Sequence, residues 1–83
     1  MAAIKNGEYE KYPEFFPVGS PVRCENEWQP GKWSHGTVTT HQLNSYGVPQ
    51  WIIIDLEDGS DAEFDYRYID VEDSRNSLVR KVK

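Results

Sequence analysis

The sequence predicts a small all-β domain of five short antiparallel strands, and three observations predict it. Turn-forming residues recur about every dozen positions, no apolar pattern holds a helical period across two turns, and the segments between turns alternate apolar with polar residues as half-buried strands do. With 83 residues, 37% of them hydrophobic, and a single cysteine, the chain is sized for one domain with a modest core and no internal disulfide. Five such strands within residues 18–73 are expected to close into a small barrel, because closure removes exposed strand edges.

Residues 1–17 read as an irregular N-terminal extension, polar but carrying Tyr9, Tyr12, Phe15 and Phe16, whose rings are expected to lie partly buried over the domain. Pro17, Gly19 and Pro21 lead into a first strand at residues 22–25, with Cys24 pointing inward beside Val22 as a small apolar side chain. Pro30-Gly31 is a turn, and residues 32–41, rich in Trp and Thr, form a second strand in which Gly36 marks a bend or a close backbone approach. Residues 42–49 carry Asn44, Ser45, Gly47 and Pro49 and read as a loop, whereas residues 51–56 are the most apolar stretch and read as a central strand. Asp58-Gly59 is suited to the two positive φ angles of a type I′ hairpin, after which Ala62 and Phe64 alternate with Asp61, Glu63 and Asp65. Residues 66–68 suit a short turn or 3₁₀ segment, and Ile69 with Val71 a brief closing strand. Residues 74–83 hold Arg75, Arg80, Lys81 and Lys83 with no acid, and read as a solvated basic tail dispensable for folding. The expected core is Val22, Val38, Ile52, Ile54 and Phe64.

Charge bounds the function classes. The net charge is -5, and residues 52–73 hold nine acids against one base, Arg67, a distribution opposed to direct nucleic-acid binding, which is built from clustered Lys and Arg. No apolar run reaches the roughly 18 residues of a membrane span, and the first six residues lack the apolar run of a secretory signal, so a membrane partner is not expected and an intracellular location, cytoplasmic or nuclear, is. The acids do not form a calcium-binding loop, since Ile54 stands five positions before Gly59 where such a loop needs an acid. His35 and His41 lie six apart, on the same face of a regular strand but too distant to share one ion. With no nucleophile elbow, no glycine-rich phosphate loop and no paired acid in an apolar pocket, no cofactor or catalytic role is expected.

The run Val18-Gly19-Ser20-Pro21-Val22, then Trp33-Ser34-His35-Gly36-Thr37-Val38, residues 51–56 followed by Glu57-Asp58-Gly59-Ser60, and finally Phe64 and Ile69, resembles the Tudor family of the Src-homology-3-like barrels. The resemblance covers about two-thirds of the chain and implies a five-stranded barrel that reads methylated Lys or Arg through an aromatic cage. Trp28 and Trp33 match two walls of such a cage, with Asp58 or Asp61 to complement a cation, while Leu56 and Ala62 stand where the family often has rings. Trp33 and Trp51 equally suit core or rim packing. Tyr68 falls where Src-homology-3 domains keep a groove-lining aromatic, and with Trp33 would flank one shallow groove. The resulting expectation is a non-enzymatic module that binds a basic or methylated protein segment through Trp28, Trp33, Tyr68, Asp58 and Asp61. The alternative is an acidic structural subunit or nucleic-acid-mimicking inhibitor docking on a basic protein surface.

Overall fold

In the computed structural model, which describes residues 11–26, 29–70 and 74–82, a one-turn helix α1 (Tyr12–Phe15) precedes five antiparallel strands. The strands are β1 (Pro21–Glu25), β2 (Trp33–Leu43), β3 (Pro49–Leu56), β4 (Asp61–Asp65) and β5 (Val79–Lys81), with 3₁₀ turns at Tyr66–Tyr68 and Ser74–Asn76. They form one sheet in the order β4-β3-β2-β1-β5. Among the described residues no ladder joins β4 to β5, so the sheet is open, although Leu78 N–H donates to the Tyr68 carbonyl at 3.0 Å across the gap.

Strand alternation sorts the side chains onto two faces. Val22 and Cys24, Val38, Ile52 and Ile54, Phe64, and Val79 share the inner face and are all buried, including every residue of the expected core. Tyr12 and Phe16 from the N-terminal segment, with Tyr66 and Ile69, complete this core. Pro13 stands second in this helical turn, within the first turn whose N–H groups have no helical acceptor, so its missing N–H costs nothing, and Phe16 N–H closes the turn on the Tyr12 carbonyl at 2.8 Å. The Tyr12 hydroxyl donates to the Ile69 carbonyl at 2.8 Å, which satisfies a phenol that is otherwise buried.

Four expectations are corrected. The fifth strand is Val79–Lys81 rather than a segment at Ile69 and Val71: Ile69 is buried without being in a strand, and Val71 lies outside the described residues. Residues read as a solvated tail therefore complete the sheet, with Val79 opposite Cys24 and both Ser77 and Val79 buried. The β3–β4 hairpin exists, but its turn is not type I′, because only Gly59 has a positive φ (+89°) there. Leu56 and Ser60 instead close a three-residue loop, through Leu56 N–H to the Ser60 carbonyl and Gly59 N–H to the Leu56 carbonyl, a turn that needs one left-handed residue rather than two. Strands β2 and β3 run longer than expected and shorten the loop between them, while β3 is an interior strand, as expected, paired with β2 on one side and β4 on the other.

The fourth correction concerns the histidines. A register shift between Val38 and Thr40 inserts one extra residue into β2 and inverts the alternation beyond it. His35 accordingly shares the outer face with Arg23, while His41, opposite Ile52, turns inward. Its Nε2 lies 2.6 Å from the Phe16 carbonyl oxygen, an acceptor, so Nε2 carries the proton, and in the neutral ring Nδ1 accepts from the Tyr66 hydroxyl. His41 thereby ties the N-terminal segment to the 3₁₀ turn.

Candidate functional site

On the outer face of β4 and β3 the register sets Asp55 directly opposite Asp61, Ile53 opposite Glu63, and Trp51 opposite Asp65. Like charges facing each other across a strand pair destabilise it. Among the described residues Asp55, Asp61 and Glu63 make no ion pair. Asp65 differs: one carboxylate oxygen takes the Arg67 guanidinium at 3.2 Å and the Gln50 amide at 3.2 Å, and the other accepts from Arg67 N–H. Its charge is therefore answered locally, and among the described residues that of the other three is not.

Beside these acids lies an open depression of about 270 Å³ lined by Glu63, Phe64, Asp65, Tyr68 and Leu78. The 3₁₀ turn that starts on the Asp65 cap leaves Tyr68 48% exposed, with the Arg67 guanidinium 5.7 Å from its ring centre. Apolar floor and carboxylate rim thus adjoin one another along the edge of the sheet. A larger depression of about 390 Å³ opens at the hairpin end, where His35, Thr37, Asp55 and Glu57 give it a polar lining.

Each residue singled out from the sequence has a definite place, except Trp28, which lies outside the described residues. Trp33 opens β2 opposite Glu25 on the outer face, half-buried, and the Arg80 guanidinium stacks 4.2 Å from its ring centre. Arg80 is steadied there by donating to the Arg75 carbonyl at 3.1 Å. One face of the indole expected to accept a foreign cation is thus covered by a cation of the same chain. Trp51 is likewise half-buried and on the outer face, opposite Gln42, rather than in the core. Asp58 sits at the hairpin tip, fully exposed, and accepts from the Ser60 hydroxyl and then from Ser60 N–H, interactions that hold its carboxyl below the ordinary carboxylate range. Asp61 begins β4.

The structure therefore joins Tyr68 with Glu63 and Asp65, and joins Trp33 with Arg80. Trp33 does not line the depression that holds Tyr68, so the two do not flank one groove there. Sequence reasoning missed Leu78 and Arg80 because both lie in the segment read as a tail. Glu63 was legible as an outward residue of an alternating strand but carried no mark separating it from its neighbours.

One further group has no place in this site. Cys24 is buried, and burial pushes its thiol up to about 11, which leaves it a poor nucleophile. Among the described residues no three His, Cys, Asp or Glu are grouped to hold a metal ion, and no helix is long and apolar enough to cross a membrane. Comparison of the chain with models of protein families, with curated proteins and with solved structures yields no significant match.

Proposed function

We propose that this domain is a non-enzymatic interaction module that takes a basic segment of another protein on the acidic outer face of β3 and β4 and in the adjoining Tyr68 depression. The observation that carries the reading is the set of three carboxylates, Asp55, Asp61 and Glu63, that share one face without a partner cation among the described residues, the last of them on the rim of an apolar floor made by Phe64, Tyr68 and Leu78. One Lys or Arg would relieve the opposition of Asp55 and Asp61, and a second, beside Glu63, would cover the floor with its aliphatic stem. Unmethylated bases suit this surface better than methylated ones, since a cage needs several open ring faces and one face of Trp33 is taken by Arg80. The fold reading that accompanies this function is a Tudor-like, incompletely closed barrel of the Src-homology-3 type that leaves β4 as an edge. It is supported by the pairing of the first strand with the last and by the Leu78 to Tyr68 bond that draws the two sheet edges toward each other.

The test is titration of a Lys- and Arg-rich peptide, by calorimetry at low and at physiological salt, against the wild type and the variants Asp61→Lys and Glu63→Lys. Binding tighter than about 1 mM, weakened by salt and by both reversals, is expected. Binding weaker than about 1 mM at low salt, or equal binding by wild type and both variants, overturns the reading.

A further inference from the structure

Strand β4 is an edge of the sheet, and the side of it that faces away from β3 is the second half of the docking surface. The hairpin closes on Leu56 N–H to the Ser60 carbonyl, and pairs alternate from there: Ile54 with Ala62 and Ile52 with Phe64 exchange hydrogen bonds, whereas Asp61, Glu63 and Asp65 stand at the positions between. The backbone N–H groups of those three acids and the C=O groups of Asp61 and Glu63 therefore point away from β3, and no backbone bond outside the strand ladders reaches them among the described residues, whereas the Asp65 carbonyl caps the 3₁₀ turn that follows. The depression lined by Phe64, Tyr68 and Leu78 runs along this same edge.

We propose that β4 binds its basic partner as an added sixth strand. This deepens the reading above and rests on it. The pleat then dictates the ligand's sequence. Residues of the incoming strand that lie opposite Asp61 and Glu63 share the outer face and must be Lys or Arg, and the residues between them share the inner face with Ala62 and Phe64 and must be apolar. The partner is an extended segment in which bases and apolar residues alternate, not a block of bases. A second copy of the domain does not suit the edge, because β4 laid against β4 would oppose acids to acids. The short basic β5 offers only three residues.

The experiment compares two ten-residue peptides of identical composition, one alternating Lys and Val and one with five Lys followed by five Val, together with the alternating peptide N-methylated at the amides that would face β4. Affinities are read by calorimetry, and amide exchange at Asp61, Glu63 and Asp65 by NMR. At least tenfold tighter binding of the alternating peptide, loss of that advantage on N-methylation, and slowed exchange at the three amides are expected. Two variants sharpen the test: Glu63→Ala removes the charge alone, and Glu63→Pro also removes an outward N–H without taking a bond from β3. The Pro variant, shown to be folded by its circular dichroism, should bind several-fold more weakly than the Ala variant. Equal affinity for both peptides with no slowing of exchange overturns strand addition while leaving the basic-segment reading intact. No measurable binding by either peptide overturns both. Self-association through β4, seen as exchange protection that rises with protein concentration, overturns the proposal in favour of a second copy.

Discussion

Removing residues 77–83 should unfold the domain. The truncation deletes β5 from its pairing with β1, where Val22, Arg23 and Cys24 face Lys81, Arg80 and Val79. It withdraws Val79, 1% exposed, whose burial is worth about 1.5–3 kcal/mol. It also breaks the bonds from Glu25 N–H to the Leu78 carbonyl, from Leu78 N–H to the Tyr68 carbonyl and from Val82 N–H to the Pro21 carbonyl, at about 0.5–1.5 kcal/mol each. Together these come to roughly 3–7 kcal/mol, and a domain of this length has about 4–12 kcal/mol in total. The loss also uncovers Val22 and Cys24 and frees Phe15 from the Lys81 ammonium that lies 4.0 Å from its ring centre. Thermal and urea unfolding followed by circular dichroism measure the effect. Val79→Ala supplies a graded version, expected to cost about 1.5–3 kcal/mol with the fold retained. A truncated protein that melts cooperatively within a few degrees of the full chain would refute the assignment of β5.

Gly36→Ala should destabilise by about 1–3 kcal/mol in urea titration, since its Cβ would lie 2.6 Å from both the Asp55 carbonyl oxygen and the Ile54 side chain; an unchanged midpoint would mean that β2 and β3 do not approach so closely. Stability should also fall in alkali. Burial raises the Cys24 thiol from 9.0 to about 11, so the unfolded chain releases a proton that the folded chain keeps. The contribution is whole below pH 9 and lost as pH rises through 11, and burial together with Tyr12 moves the Tyr66 phenol in the same direction. A urea midpoint that stays level from pH 8 to 11 would contradict this, and Cys24→Ala should flatten part of the slope. Arg80→Ala should uncover Trp33, cost about 0.5–2 kcal/mol and change the indole emission; emission identical to wild type would mean that the stack does not persist in solution.

How much of this was legible in the sequence follows from how local each signal is. Strands β1 to β4 and the 3₁₀ turn at Tyr66–Tyr68 announce themselves because several alternations, or a turn dipeptide, lie within a few consecutive residues. The inner face, Val22, Val38, Ile52, Ile54 and Phe64, follows from that alternation alone. Strand β5 spans three residues and shows one inward apolar side chain, Val79, too little to display a period, and its place is fixed by the free edge of β1 nearly sixty residues earlier in the chain. The inward turn of His41 depends on a bulge that no residue type between Val38 and Thr40 announces. For the site, alternation showed the acids of β4 facing outward, but the floor beside them needs Leu78, and whether Trp33 is open needs Arg80, both contributed by the end of the chain.

The distribution of the chain's own cations shifts the weight of the candidate site from rings to carboxylates. Arg80 lies on Trp33, Lys81 on Phe15 and Arg67 near Tyr68, so three bases are engaged with three aromatic side chains. In a net-acidic domain those bases were the natural counter-ions for the outer face, yet among the described residues only Arg67 of the three also reaches a carboxylate, that of Asp65. Asp55, Asp61 and Glu63 remain opposed to one another or to apolar neighbours across the strands. That arrangement weakens the β3–β4 pair, by about 0.2–1 kcal/mol for a directly opposed like-charged pair, and among the described residues no ion pair offsets it. A base supplied from outside would find these carboxylates uncompensated and beside an unpaired strand edge, whereas a base seeking Trp33 would first have to displace Arg80. Electrostatic complementarity and main-chain pairing, rather than an aromatic cage, are therefore the terms on which this surface can select a partner.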